Sequence, residues 1–454
     1  MPLGCDKARA ARLRLFQQPP QGSGWGSRPR AGPAPLTTGF HDWDFRPPQS
    51  AAIGDHDVPL VSGHLQGRRI ALVVTGSIAA LRTPDLARAL RRRGAEVTAI
   101  CSAEALHYVG RQALEWATCR PVISRLSWRA EHLSDAEPFD AWLVAPATAN
   151  TIAKLASGIA DTPVTAALAS ALGRLEQGLT RLLIAPTMHG SLHTSILERQ
   201  ARSLAQLGVS WIAPRDAYGK HNLPDPEVLV AAVCRAVSPS VLQGRRILVT
   251  GGPTPVPIDG VRQIVNRFSG RLATAISEEL LLRGADPQLL LGQGAAPPPA
   301  WIPHQLASSF DDYRARVLAA VAGGLDAGIF SAAVADYRPR LVHPGKLASG
   351  QPDLQLELEP TEKVIDQVRA AAPALPMVTF KLLEGVSEAE LLAVARSRLD
   401  RFELVVANRA EAVQGAQQSA WLVSAGGESQ HHGKPAIAAA IADWLERQLA
   451  ADRP

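Results

Sequence analysis

The chain predicts an α/β fold of two Rossmann-like parallel-sheet domains after a disordered N-terminal extension. Three observations carry this. From residue 69 onward, short uninterrupted apolar runs alternate with amphipathic stretches, the pattern of a parallel sheet covered by helices on both faces. The hexapeptide Leu65-Gln-Gly-Arg-Arg-Ile70 recurs as Leu242-Gln-Gly-Arg-Arg-Ile247, and each copy opens a strand that ends in Thr-Gly. Residues 1–66 are rich in Pro, Gly and Arg and show no periodicity, so they read as largely disordered. The expected organisation is therefore an extension over 1–66, one domain over 67–238 and a second over 239–454, divided near Ser238-Pro239-Ser240.

In the first domain, residues 69–75 read as a buried strand turned by Gly76-Ser77, and 78–93 as a helix stopped at Gly94. Further strands are expected at 96–100, 141–145, 182–185 and 209–213, with helices at 151–156, 163–172 and 196–207. In the second domain, strands are expected at 246–250, 287–291, 326–331, 377–381 and 404–407, and around Trp421. Helices are expected over 270–283, 311–322, from 361, over 388–399 and over 437–449. The alternation Leu354-Gln-Leu-Glu-Leu358 reads as one more strand.

Composition narrows the function. The 454 residues are 46% apolar and 20% charged with a net charge of +5, an ordinary balance that does not indicate a nucleic-acid face. No apolar run reaches the ~18 residues of a membrane span. Cys5, Cys101, Cys119 and Cys234 show no CxxC spacing and read as reduced cytosolic thiols, neither a disulfide frame nor a zinc site. A cytoplasmic location is expected.

Chemistry concentrates at strand ends. Thr75-Gly76-Ser77 precedes a helix start, where backbone N–H groups and the Ser77 hydroxyl suit a phosphate. There is no G-x-G-x-x-G, and the second strand runs into Cys101-Ser102 where an NAD fold wants an acid for the ribose. A mononucleotide phosphate fits better than NAD. Ala145-Pro-Ala-Thr-Ala-Asn-Thr151 joins small residues, which admit a flat ring, to Thr148 and Asn150, which can bond its heteroatoms; the same residues also read as a helix cap. In the second domain, residues 251–269 separate a strand from its helix, far more than the roughly 2–6 residues such a connection needs. That insertion carries Thr254, Arg262, Asn266 and Arg267, donors for an anionic substrate.

These motifs resemble two known families. Residues 145–156 with Gly158-Ile-Ala-Asp161 resemble the flavin-binding motif of the flavin-containing cysteine decarboxylases, and His132 falls where that family has its catalytic histidine. Gly252-Pro-Thr254, Pro257-Ile-Asp-Gly-Val-Arg262, residues 266–270 and 332–339 are similar to phosphopantothenate–cysteine ligase. The two in this order resemble the bifunctional coenzyme A biosynthesis family.

The resemblance implies two activities. A ligase would join cysteine to 4′-phosphopantothenate, using CTP (or ATP) with Mg²⁺. Asn266 would bond the activated intermediate, Arg262 and Arg267 would bind substrate, Lys346 would stabilise phosphoryl charge, and Asp336, Lys346 and Phe380 would contact the nucleotide. A decarboxylase would use FMN to turn 4′-phosphopantothenoylcysteine into 4′-phosphopantetheine, with His132 as general base and Gly76, Ser77, Ser102, Thr148 and Asn150 holding the cofactor. Met188 and His189 stand where the family has Met-Asn for substrate. The family's flap carries a proton-donating Cys; here residues 217–225 hold none, and Lys220 or His221 is the available donor. Arg396 and Arg401 stand in for the lysines expected near the triphosphate. Small-molecule partners and a homo-oligomer are expected, with neither nucleic acid nor membrane. Two further readings stay open: a ligase with a silent flavin domain, and a flavin-binding scaffold without turnover. A nicotinamide dehydrogenase fits least.

Overall fold

The computed structural model describes Gln49, residues 53–133, 137–350, 353–414 and 417–450. The disorder expected for residues 1–48 lies outside this set. Residues 53–66, read from the sequence as part of that extension, are mostly exposed, but their end is tied to the fold. Leu65 is fully buried, and the Val61 and Leu65 N–H groups donate to the Arg92 and Arg93 carbonyls at 2.8 Å.

The elements run β1 (Arg69–Val74), α1 (Thr83–Arg91), β2 (Glu96–Cys101), α2 (Arg111–Thr118), β3 (Ala141–Ala147), α3 (Ala149–Ala156), α4 (Pro163–Glu176), β4 (Arg181–Pro186), β5 (Met188–His189), α5 (Ser195–Gln206), β6 (Ser210–Trp211), β7 (Arg215–Ala217), β8 (Lys220–Asn222) and α6 (Pro226–Val237). They form a parallel sheet in the order β2-β1-β3-β4-β6 and a small antiparallel sheet in the order β5-β8-β7. Both faces of the parallel sheet are covered, which is why its strands read as unbroken apolar runs. Along β1, Ile70, Leu72 and Val74 pack with α1, α2 and α6, while Ala71 and Val73 pack with α3, α4 and α5. The helix expected over 78–93 is broken in two: a 3₁₀ turn covers Ile78–Arg82 and α1 follows. Pro84 explains the restart, because a proline fits the first turn of a helix and not its interior.

The second half runs β9 (Arg246–Gly251), β10 (Val256–Pro257), β11 (Gln263–Ile264), α7 (Arg271–Leu282), β12 (Asp286–Gly292), β13 (His304–Ala307), α8 (Phe310–Ala322), β14 (Ala327–Phe330), β15 (Tyr337–Pro339), β16 (Leu358–Pro360), α9 (Val364–Ala371), β17 (Met377–Leu383), α10 (Glu388–Arg396), β18 (Leu404–Arg409), β19 (Val413–Gln414), β20 (Gln417–Ser424), β21 (Gly427–His432) and α11 (Lys434–Ala450). The main sheet has the order β13-β12-β9-β14-β17-β18-β20, parallel as far as β18 and antiparallel beyond it. One face packs on α7 and α11, the other on α8 and α9, with α10 against β18. The strand expected over 354–358 forms only at its end, as β16 paired with β15. Leu354, Leu356 and Leu358 are 38–49% exposed, so their alternation meets no sheet face to bury against.

Candidate functional sites

Both parallel sheets reverse strand order once beside their first strand, and each reversal opens a crevice at the carboxyl ends of two neighbours. Such switch points are where open α/β sheets bind ligands.

In the first sheet the crevice lies between β1 and β3. The buried Thr75 hydroxyl donates to Pro146 O at 2.7 Å and accepts from Thr148 N at 3.0 Å, joining the two strand ends across the cis Ala145–Pro146 peptide. Thr148 caps α3, its hydroxyl accepting from Thr151 N at 3.4 Å, so the capping role weighed from the sequence is present at this edge. Asn150 is exposed on the first turn of the same helix. Ser77 accepts from Ala79 N and Ser102 accepts from Ala105 N at 3.1 Å. Each hydroxyl oxygen is thus occupied as an acceptor while its hydrogen stays available to donate to an anion. At Gly76 a Cβ would stand 2.5 Å from the Glu104 Cβ, so the loops after β1 and β2 meet here too closely for a side chain.

His132 lies in the connection before β3, and its Nδ1 is buried without a hydrogen-bond partner. A buried polar atom left unpaired costs about 1–3 kcal/mol, and functional sites are where such atoms are retained. Thr187, directly after β4, donates its N–H to Ala147 O at 2.9 Å, which brings Met188 and His189 to the Thr148 edge. Met188 is buried in the core. His189 Nδ1 accepts from Ser191 N at 3.2 Å, which puts the ring proton on Nε2 and leaves it free to donate. The small residues of β3, the free hydroxyl hydrogens, the start of α3 and the unpaired His132 fit a flavin mononucleotide, and these residues would hold it.

The second crevice lies between β9 and β14, where three motif loops are stitched together. Ala333 N donates to Gly252 O at 2.9 Å, and Ala335 N donates to the Thr254 hydroxyl at 2.8 Å. The Asn266 amide nitrogen donates to the carbonyls of Ala333 and Val334 at 3.1 and 3.3 Å. Among the described residues, no protein hydrogen bond reaches its Oδ1. Arg267, next to it, is exposed. Gly292, at the end of β12, shows how closely the backbones approach: a Cβ there would stand 1.5 Å from Pro253 O.

The long insertion is not a plain loop, as β10 and β11 pair within it. Its tip is organised by Asp259, whose side chain is fully buried. This carboxylate accepts from Val261 N at 2.7 Å, Arg262 N at 2.6 Å, Arg262 Nε at 2.8 Å and Leu347 N at 3.1 Å. Burial pushes its pKa up, but Arg262 and the backbone N–H groups outweigh that and hold it well below the usual carboxylate range. The tip is thereby zipped to the loop that carries Lys346: Gly260 N donates to Gly345 O at 2.7 Å and Arg262 Nη2 to Leu347 O at 2.8 Å. Arg262, expected to bind substrate, therefore commits two of its nitrogens to this strut. Lys346 itself is exposed.

Two other expected ligands are engaged elsewhere. Asp336 pairs with Lys363, and Phe380 packs on the core beneath β17. Arg396 is held by Glu428 at 2.5 Å and Arg401 by Asp366 at 2.6 Å, so neither reaches out for a triphosphate. Sequence reasoning missed Asp259 as the organiser; its signal was the Pro257-Ile-Asp-Gly-Val-Arg262 motif, in which only the arginine was weighed. Among the described residues no group of three or more His, Cys, Asp and Glu is placed to hold a metal ion, and no helix is long and apolar enough to cross a membrane.

Fold and crevices thus define an α/β protein of two parallel sheets, each with a crevice at its strand-order reversal. The family model described as flavoprotein matches residues 60–238, and that of the DNA/pantothenate metabolism flavoprotein C-terminal domain matches 242–449. The coenzyme A biosynthesis bifunctional protein CoaBC of Thermococcus kodakarensis is 38% identical over 81% of this chain and 93% of its own. The protein of the same name from Bacillus subtilis is 29% identical over 77% and 87%. Among solved structures, the DNA/pantothenate metabolism flavoprotein of Streptococcus pneumoniae is 26% identical and superposes with a TM-score of 0.42, covering 45% of this chain and all of its own. The chain belongs to the CoaBC family of bifunctional coenzyme A biosynthesis proteins, with a phosphopantothenoylcysteine decarboxylase part and a phosphopantothenate–cysteine ligase part.

Proposed function

We propose that residues 239–454 ligate cysteine to 4′-phosphopantothenate at the β9–β14 crevice, and that residues 67–238 decarboxylate the product at the β1–β3 crevice. The observation that carries this is the hydrogen-bonded junction of the loops at Gly252, Asn266 and Ala333, because it fixes the carboxamide that a reacting acyl group needs held still.

In the ligase, Asn266 donates to backbone and keeps Oδ1 to accept from the attacking amine or another substrate N–H. Arg267 meets the substrate phosphate as a charge-assisted donor. Lys346, on the loop anchored by Asp259, neutralises charge that develops on phosphoryl oxygens. Asp336 exchanges Lys363 for the nucleotide, and Phe380 backs its base. CTP, or ATP, enters with Mg²⁺, which retains several of its waters and is bound through substrate phosphates. In the decarboxylase, FMN when bound supplies the two-electron oxidation that makes the cysteine carboxylate a good leaving group. Gly76, Ser77, Ser102, Thr148 and Asn150 bind it. His132 Nδ1 receives a proton from the substrate, and its lack of another partner keeps it available. His189 Nε2–H orients the substrate carboxylate, and Met188 forms the floor beneath it. The active form is a homo-oligomer acting on small molecules.

The experiment is the His132→Asn variant supplied with 4′-phosphopantothenoylcysteine. CO₂ release should stop while ligation in the same preparation continues. Unchanged CO₂ release would remove His132 from the site.

A further inference from the structure

Three side chains beside the first crevice form a hydrogen-bonded line. Asp216 Oδ1 lies 2.6 Å from His221 Nδ1, and His221 Nε2 lies 2.8 Å from His193 Nδ1. Asp216 and His221 face each other across the β7–β8 hairpin, whose tip turns through Tyr218 and Gly219, both with positive φ. His193 closes the short turn that follows β5. That turn is locked to the hairpin: Gly190 N donates to Gly219 O at 2.9 Å, and a Cβ on Gly190 would stand 2.8 Å from the same oxygen. The line is tied to the flavin crevice through backbone, since Thr187 bonds Ala147 and Thr148 comes next. His221 is four-fifths covered, its side chain only 20% exposed, while His193 is exposed at the outer end. The line therefore has a partly buried middle, an acid at one end and one ring nitrogen, His193 Nε2, uncommitted at the other.

We propose that this line is a proton relay of the decarboxylating site, with His193 as the acid that protonates the carbon from which CO₂ has left. The proposal rests on the decarboxylase reading above. Loss of CO₂ from an oxidised cysteine, a thioaldehyde, leaves the bonding pair in the C=C bond of an enethiolate, and the carbon that lost CO₂ must gain a proton to regenerate the C=S group that is then reduced. His193 Nε2–H gives the proton. The C=C pair forms the new C–H bond and the C–S bond becomes C=S. The line must start with one proton beyond two neutral rings. As Nε2 gives up its proton, His193 Nδ1 takes one from His221 Nε2. His221 keeps its Nδ1–H on the Asp216 carboxylate, and solvent returns the proton after turnover. The step consumes no oxidant or reductant. Thiols do not compete for the role: residues 215–225 contain no Cys, and burial pushes the Cys101 thiol up to about 12. Lys220 is exposed and makes no bond to the line.

The test uses the flavin-loaded full chain, anaerobically, with 4′-phosphopantothenoylcysteine. CO₂ is measured beside the thiol products by mass. Wild-type protein gives CO₂ and 4′-phosphopantetheine in equal amounts. H193Q should release one CO₂ per site and stall at the unsaturated enethiol, with product formation down at least ~100-fold and restored by added imidazole. H221Q should show the same split with a loss of about tenfold, which a merely structural role would not produce because it would lower both yields together. Retained flavin absorbance confirms folding. Product formation by H193Q at the wild-type rate, or equal loss of CO₂ and product with flavin retained, overturns the relay. Absence of CO₂ from the wild-type protein overturns the decarboxylase reading itself, and the relay with it.

Discussion

Replacing Gly292 by Ala should silence the ligase and spare the decarboxylase. The added Cβ would stand 1.5 Å from Pro253 O and 2.6 Å from Pro253 C, whereas real Cβ atoms essentially never come within 3.0 Å of another heavy atom. The carbonyl must therefore retreat by about 1.5 Å or the end of β12 must move. Neither end is free. Pro253 bridges Ala333, Gly252 O accepts from Ala333 N, and Ala333 O accepts from the Asn266 amide. The displacement thus passes in one step to Asn266. A misplacement of about 1 Å costs on the order of 100-fold in rate, and overpacking a filled site costs roughly 1–3 kcal/mol of stability. The assay compares formation of 4′-phosphopantothenoylcysteine from its precursors with CO₂ release from the ready-made compound. Ligation should fall at least ~100-fold with decarboxylation within about twofold. A folded variant that ligates at near the wild-type rate, or equal loss of both activities, would mean that the Gly292–Pro253 contact does not position Asn266.

Three further outcomes are expected. His132→Asn should lower CO₂ release by at least ~100-fold without slowing ligation, measured on one preparation. Asp259→Asn should loosen the Lys346 loop, slowing ligation by about tenfold and speeding trypsin cleavage after Lys346; unchanged cleavage would mean that the loop is held otherwise. Because the Asp259 carboxyl is held below its ordinary range, the anchoring is complete above that range and is lost only as pH falls beneath it, so protection of Lys346 should persist to about pH 4. Burial pushes Cys101 and Cys234 up to about 12, so alkylation of the native protein near pH 8 should label the exposed Cys119 and leave those two intact. The same two thiols keep their protons in the folded state after the unfolded chain has lost them, so they reduce stability as pH rises from about 9 toward 12.

Much of the fold was legible because both sheet faces are buried. Runs such as those of β1 and β9 show as unbroken apolar stretches, and their helices carry clear stops. Hairpins β10–β11 and β7–β8 were not legible: two or three residues per strand give no periodicity, and their register is set by Asp259 and by the Tyr218-Gly219 tip. The reverse error came at 354–358, where alternation suggested a strand but no neighbouring face was present to bury the leucines. Among the candidate site residues, Asn266 and His132 stand out in the sequence by motif and offset. The partner of Arg262 was not legible, because a sequence lists an arginine's charge without the Asp259 carboxylate that meets it. The Asp216–His221–His193 line joins residues up to 28 apart and was visible only once β5, β7 and β8 were paired.

The central claim is that one chain carries both reactions in sequence. The most direct measurement incubates the purified full chain, loaded with FMN, with 4′-phosphopantothenate, cysteine, Mg²⁺ and CTP, with ATP in parallel, and follows products by mass. The expected products are transient 4′-phosphopantothenoylcysteine followed by 4′-phosphopantetheine, with CO₂ released in step. Accumulation that ends at 4′-phosphopantothenoylcysteine, or no product with either nucleotide, would contradict it.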